Sequence, residues 1–220
     1  MSFALSLRRI VISEEIHSYR RHADNIETLL EKEANKFVES IKVGVAQLPD
    51  HQVTEYENEY FERYENEYLE LAEEHPSFQR KSELICIYAL LENGLKSICL
   101  CLERVLDNPV KLDDLSASGN INKAKKYLEK VANINFPSDS PEWKEIIKIQ
   151  QLRNCLVHND GIIKKANSEL IPYVKDSEYL KFQTSVVESV AIKRGFTVHC
   201  LDLFEALFDK LFVEIKSRKM

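Results

Sequence analysis

Residues 82–106 read SELICIYALLENGLKSICLCLERVL and form the most apolar segment of the chain. Apolar residues cover most of the circumference of a helix drawn through this stretch, from about Phe78 to Val105. A helix that is apolar on nearly all sides is one that its neighbours bury. Asn108-Pro109 follows as a signal that the helix ends. The segment therefore predicts the central helix of a helical bundle.

The chain upstream of this segment predicts two further long helices. In the first, apolar residues recur at three- and four-residue steps between charges, at Ile16, Ile26, Leu29, Leu30, Phe37, Val38 and Ile41. Gly44 and Pro49-Asp50 are expected to end it, and a second helix follows from about 51 to 74, ending at His75-Pro76. Together they predict an antiparallel helical arm over residues 1–76.

The second of these helices is acidic and carries the only visible repeat. YENEY occurs at 56–60 and again at 64–68, and residues 47–76 hold ten acidic residues against one basic residue. The four-residue spacing places four tyrosines on one helical stripe: Tyr56, Tyr60, Tyr64 and Tyr68. We expect the tyrosine stripe to pack against another part of the protein. The alternative is that this acidic helix mimics RNA and occupies a basic RNA-binding groove.

Downstream of the central segment, the chain predicts three helices and one short β-hairpin. A short helix at about 121–132 carries four lysines, and a helix with a Ser140 cap begins at Pro141 and ends at Asn159-Asp160-Gly161. Residues 179–185 and 189–193 predict two short strands, and a last amphipathic helix covers 197–216. The predicted class is all-α, a bundle with an N-terminal helical extension over 1–76, a core over 77–220 and one hairpin before the last helix.

Composition supports this class and excludes several others. The 220 residues are 44% apolar and 30% charged, with a net charge of −6. Five glycines and six prolines are too few for an all-β protein or a largely disordered one. The negative charge excludes a generally basic nucleic-acid coat, although a local basic site is compatible with it.

Cysteine usage and hydropathy predict a soluble protein of a reducing compartment. The five cysteines are odd in number, lie among apolar residues and form no C-x-x-C pair, which predicts buried free thiols. Arg8 and Arg9 end the first apolar run too early for a signal peptide. The apolar run from Leu84 to Leu91 is far shorter than a membrane span. We therefore expect a cytoplasmic protein with no membrane partner.

Most motifs that carry chemistry are absent from the sequence. It contains no glycine-rich phosphate loop, H-E-x-x-H, EF-hand loop or G-x-S-x-G elbow. The histidines are scattered without metal-ligand spacing, so we expect neither a metal nor a cofactor. A phosphotransfer histidine is also excluded at His158, because the lysine and glycine expected after it are missing.

One group of polar residues remains, at the end of the helix that begins at Pro141. Residues 153–158 read RNCLVH, which places Asn154 and His158 four apart on one helical face, where the amide can orient the imidazole. Arg153 is five residues from His158, about 140° around the helix. One helix therefore cannot easily aim both at one phosphate, whereas two copies related by a dyad can.

These residue types suffice for RNA cleavage without a metal. A histidine with a pKa near neutrality can take the proton of a 2′-hydroxyl or protonate the leaving 5′-oxygen. A guanidinium can hold the phosphate and stabilise its developing charge. The structural alternative is an ordinary surface arginine, with His158 as a helix C-terminal cap.

The sequence around these residues resembles the HEPN domain family. QLRNCLVHNDG (151–161) is similar to the family signature of an arginine, a polar residue and a later histidine. IYALLENGLKSIC (87–99) resembles the first core helix of many bacterial members, and KAKKYLEKVANINFP (123–137) is also similar. The resemblance covers about residues 77–217, and residues 1–75 look like a variable extension.

The resemblance implies a four-helix core that dimerises around the motif and a metal-independent endoribonuclease of the toxin or phage-defence type. Arg153 and His158 would be the catalytic pair, with Asn154 as the supporting polar residue. One departure is Asp160, which stands where toxin–antitoxin members have a modified tyrosine. Leu152 likewise precedes Arg153, where some members carry an extended Glu-x-x-x-Lys-Arg motif.

The sequence thus predicts a homodimeric endoribonuclease that leaves a 2′,3′-cyclic phosphate on RNA, with an antitoxin or regulator protein as a further partner. Lys164 and Lys165 are predicted RNA-backbone contacts, with ordinary surface lysines as the alternative. Two other functions stay open. One is a non-catalytic HEPN-like module that binds RNA, a nucleotide or a protein. The other is a structural adaptor that binds through the Tyr/Glu helix at 51–74.

Overall fold

The computed structural model describes residues 2–46, 64–184 and 186–218. Over these ranges the elements are α1 Phe3–Ala46, α2 Tyr64–Leu106, α3 Asn120–Lys130, α4 Pro141–Asn159, α5 Leu170–Asp176, β1 Leu180–Thr184, β2 Glu188–Ile192 and α6 Phe196–Ser217. Short 3₁₀ turns lie at Leu112–Asp114 and Lys165–Asn167. The predicted all-α class with one hairpin before the last helix is confirmed.

Helix α2 is the centre of the bundle, as its apolar sequence predicts. It contacts α1, α3, α4 and α6, and these fully buried side chains hold it there: Leu84, Leu91, Leu95, Ile98 and Leu102. By length and composition alone α2 could also cross a membrane. Half of its most apolar window is buried inside the molecule, which is the behaviour of a core helix.

Helix α6 packs on α2 through the apolar face that the sequence predicts. Its buried side chains include Leu201, Phe204, Leu207 and Leu211. The Phe208 side chain of α6 packs directly over Gly94 of α2, where a Cβ atom would lie 2.5 Å from the ζ carbon of Phe208. Because residue 94 has no side chain, the Phe208 ring can occupy this space.

The predicted helix break at His75-Pro76 is wrong, because α2 continues through both residues. The turn Glu70–Glu74 before the proline is a π-helix, in which the amide of His75 donates to the carbonyl of Glu70. A proline inside a helix lacks its amide and crowds the carbonyl four residues earlier. The wider π turn accommodates it without ending the helix.

Helix α1 packs against the core along its length. Leu5, Ile12 and Ile16 are buried in the same apolar cluster as α2 and α6. Further along, the guanidinium of Arg80 on α2 makes two hydrogen bonds of 2.6 and 2.7 Å to the carboxylate of Glu27. The predicted boundary between residues 1–76 and 77–220 therefore falls inside α2. Helix α1, which precedes it, shares one apolar core with α2 and α6.

Much of the predicted acidic helix lies outside the described residues, including Tyr56 and Tyr60. Of the other tyrosines in the stripe, Tyr64 packs edge-on against Phe37 of α1, with ring centroids 6.1 Å apart. Tyr68 is exposed. The stripe is therefore used for packing at Tyr64 and faces solvent at Tyr68.

The five cysteines are free, as predicted, but they are not all buried. Cys99, Cys155 and Cys200 are buried, and Cys101 is half-buried. Cys86 is exposed, because it lies on the side of α2 that no other described element covers. Burial raises the pKa of Cys99 to about 12, so this thiol stays protonated at neutral pH.

Candidate active site at the end of helix α4

The ends of α4 follow from local sequence signals. The hydroxyl of Ser140 accepts the amide of Trp143 at 3.2 Å, and Pro141 occupies the first turn. At the other end, Asp160 and Gly161 have positive φ angles of 49° and 80°. Their amides both donate to the carbonyl of Cys155. Backbone amides therefore close this helix end, and the imidazole of His158 makes no capping hydrogen bond among the described residues.

Helices α2 and α4 run antiparallel beside the motif. Near one end, Lys81 Nζ lies 2.8 Å from Asp160 Oδ1. Seven residues further along both helices, the guanidinium carbon of Arg153 lies 5.7 Å from the ring centroid of Tyr88. This alignment brings the turn of α2 that carries Ile85 opposite the turn of α4 that carries Val157.

The Arg153 guanidinium is partly buried and carries an unneutralised charge. Its Nη1 donates to Asn154 Oδ1 at 3.1 Å. Its Nε is buried, and no described residue offers it a hydrogen-bond partner. Among the described residues no carboxylate lies within 4.0 Å of it, so the ion pair that a structural arginine needs is missing there. Burial raises the pKa of the Tyr88 phenol, and that ring faces the guanidinium in its neutral form.

Asn154 does not orient the histidine in the way its spacing predicts. Its carbonyl oxygen accepts from Arg153, since the arginine side chain folds back along the helix surface to the next residue. His158 is exposed, and within the described ranges it makes no hydrogen bond or ion pair. The structure therefore pairs Arg153 with Asn154 and leaves the imidazole of His158 accessible.

Lys164 and Lys165 follow the motif and are exposed. Burial raises the pKa of the Cys155 thiol, and the charge of Lys164 opposes that rise, so this lysine lies near the motif helix. Neither lysine has a carboxylate within 4.0 Å among the residues that the structure describes. Both ammonium groups are thus available to an anionic ligand.

A second polar cluster, which the sequence analysis missed, lines a cavity of about 580 Å³ at the opposite end of α4. Glu145 Oε1 lies 2.7 Å from His199 Nε2 and accepts the hydroxyl of Tyr173 at 3.3 Å. The Tyr179 ring stacks on the imidazole, with centroids 4.9 Å apart. These residues come from separate helices and loops. Two features of the sequence could have indicated this cluster. Glu145 lies beside the buried Ile146 and Ile149 of α4, and His199 lies within the apolar helix α6.

Neither this cluster nor the motif provides a metal site. Over the described ranges, no group of three or more His, Cys, Asp or Glu side chains is placed to hold a metal ion. The motif itself provides an imidazole, a guanidinium and an amide. These groups can bind an anion and move protons.

No protein-family model matches the chain, and no curated protein or solved structure is significantly similar to it. The resemblance to HEPN domains consequently rests on the sequence segments 87–99, 123–137 and 151–161 alone.

Proposed function

We propose that the protein is a metal-independent endoribonuclease of HEPN type, acting in the cytoplasm as a toxin or in defence against phage. Its active site forms where two copies of the chain meet. Arg153, Asn154 and His158 of each copy contribute to it, and Lys164 and Lys165 contact the RNA backbone. An antitoxin or regulator protein is the further partner that such an activity calls for.

The unpaired guanidinium of Arg153 is the observation that carries this proposal. A partly buried charge without a counterion is costly, and native proteins pair such charges or use them at functional sites. The guanidinium keeps hydrogen-bond donors that no described residue accepts, and the imidazole of His158, five residues further along the helix, is exposed. A phosphodiester supplies the missing negative charge and accepts two such donors at once.

His158 supplies the proton transfers. As a neutral base it takes the proton of the 2′-hydroxyl, whose oxygen attacks the adjacent phosphorus while the bond from phosphorus to the 5′-oxygen breaks. A protonated His158, from the same or the second copy, gives a proton to that leaving oxygen. The products are a 2′,3′-cyclic phosphate and a 5′-hydroxyl. Arg153 neutralises the charge on the phosphate oxygens.

The surface beside the motif supports assembly with a second copy. Ile85 and Val157 are 37% and 42% exposed and lie on facing turns of α2 and α4. A dyad through this patch brings Arg153 of one copy toward His158 of the other, which one helix alone cannot do.

The test compares the parent protein with His158→Ala on single-stranded RNA and transfer RNA in the presence of EDTA. We expect the parent to cleave and the variant to lose at least about 1,000-fold in rate, because one group serves as base and acid. His22→Ala is the matched control, since His22 is exposed on α1. Cleavage that survives in His158→Ala, or that the parent performs only with added metal, contradicts the proposal.

A non-catalytic HEPN-like module is the second candidate. It is favoured by the bond of Asn154 to Arg153, which leaves His158 without a group to orient it. Such a module would bind RNA through Arg153 without cutting it. A folded, dimeric parent that binds RNA and leaves it intact over hours would establish this alternative.

A further inference from the structure

The β-hairpin has one apolar face and one polar face. In the pairing Leu180↔Ile192 and Phe182↔Val190, side chains pack toward the core. The alternate pairs, Lys181↔Ala191 and Gln183↔Ser189, therefore share the opposite face. Lys193 extends this face, because its amide continues the ladder to the carbonyl of Tyr179. We call the side chains of Lys181, Gln183, Ser189, Ala191 and Lys193 the hairpin face.

The hairpin face forms one wall of a groove of about 280 Å³, and residues of α2 between Ala72 and Lys81 form the other wall. The lining holds four cationic side chains against two carboxylates, Glu73 and Asp160. Two of the cations are already paired, Arg80 with Glu27 and Lys81 with Asp160. Lys181 and Lys193 have no carboxylate within 4.0 Å among the described residues. The groove therefore offers two free ammonium groups.

The groove begins beside the proposed catalytic residues. Asp160, on its rim, is two residues from His158. Two backbone hydrogen bonds join the chain that follows α4 to the hairpin. The amide of Val190 donates to the carbonyl of Gly161 at 3.0 Å, and the amide of Ile163 donates to the carbonyl of Glu188 at 2.8 Å. A Cβ at residue 161 would lie 2.9 Å from the carbonyl oxygen of Val190, so glycine permits this contact. The hairpin is thus held against the motif end of α4.

We infer that the groove binds the backbone of single-stranded RNA as it leaves the cleavage site. Lys181 and Lys193 contact phosphates there. The Gln183 side-chain amide, whose oxygen accepts the hydroxyl of Ser189 at 3.3 Å, adds N–H donors. The residues that line the groove include no aromatic ring on which a base could stack. Contacts of this kind hold phosphates and read no sequence. This inference rests on the proposed function, because that function supplies the RNA.

The test measures binding in the His158→Ala background, where no cleavage interferes. A fluorescein-labelled single-stranded RNA of about 20 nucleotides and a duplex of the same sequence are titrated by anisotropy at several salt concentrations. We expect Lys181→Ala/Lys193→Ala to weaken single-strand binding about tenfold. The slope of log K against log salt should fall by about 1.4, because each single-strand phosphate contact contributes about 0.7.

Two matched variants make the result specific. Lys36→Ala/Lys42→Ala removes the same charge from exposed positions of α1 and should leave affinity and slope unchanged. Lys181→Arg/Lys193→Arg should retain the affinity, since the charges remain. Unchanged binding in Lys181→Ala/Lys193→Ala overturns the inference, as does an equal loss for the duplex. If the parent cleaves RNA in that case, the proposed function stands; if it neither binds nor cleaves RNA, both fall.

Discussion

At the scale of single residues, the contacts of Arg153 distinguish a functional role of the motif from a structural role. A structural arginine would be neutralised by its own chain, as Arg80 is by Glu27. Arg153 instead rests on Tyr88 and bonds the neutral amide of Asn154. Residues selected for activity often reduce stability, and an unpaired, partly buried charge is one way in which they do so.

The substitution Arg153→Met should therefore stabilise the fold while abolishing cleavage. The methionine keeps the unbranched stem of the side chain and can pack its thioether on the Tyr88 ring, but it removes the guanidinium and its charge. We expect the free energy of unfolding in urea to rise by about 1 kcal/mol and the cleavage rate to fall about 1,000-fold.

Arg9→Met is the control for this change. Arg9 forms an exposed ion pair with Asp209, so its loss should alter stability by less than about 1 kcal/mol and leave cleavage intact. A clear loss of stability in Arg153→Met would assign Arg153 a structural role.

At the scale of secondary-structure elements, the crossing of α2 and α6 depends on a glycine. Gly94 is buried in the middle of α2, where helix propensity alone would favour alanine by about 1 kcal/mol. The ring of Phe208 fills the space that a methyl group would need. The tertiary contact therefore overrides the local preference.

Gly94→Ala should destabilise the protein despite the gain in helix propensity. Overpacking a core costs about 1–3 kcal/mol, so we expect the melting temperature and the free energy of unfolding to fall. Thermal and urea unfolding by circular dichroism measure both. The double variant Gly94→Ala/Phe208→Leu should recover part of the loss, because leucine clears the space beside residue 94. A rise in stability for Gly94→Ala would contradict the packing argument.

At the scale of the whole molecule, α1, α2 and α6 share one core, and the α2–α4 surface is left open beside the motif. The exposed Ile85 and Val157 lie there, at the place where the proposed composite site needs a second chain. Apolar side chains that flank polar catalytic groups are a common composition for an interface. Dimerisation and activity should therefore depend on the same patch.

Ile85→Glu should convert the proposed dimer to a monomer and abolish cleavage with His158 intact. A carboxylate at each copy's patch would be desolvated and would face its own symmetry mate. Light scattering after gel filtration should give 25.6 kDa in place of twice that mass. Val213→Glu is the control, since Val213 is exposed on α6. A parent that cleaves RNA as a monomer would refute the composite site.

The sequence alone determined the class of the fold and most of its elements. The all-round apolarity of residues 82–106, the Ser140-Pro141 start and the Asn159-Asp160-Gly161 end of α4 predict what is found, because they act through local periodicity and capping. The motif residues were equally visible, since their identity and helical spacing are local properties. The helix break at Pro76 was wrongly predicted, because no simple sequence pattern indicates the π turn that accommodates the proline.

Only the tertiary structure decided which partners these residues have. The placement of Arg153 on Tyr88, the joining of Glu145 with His199 and Tyr173, and the hairpin face beside Asp160 all unite residues distant in the chain. Such contacts depend on how helices align and cross, and short-range periodicity does not specify this. In this packing Arg153 has no carboxylate partner among the described residues. The motif is for that reason a candidate phosphate-binding site.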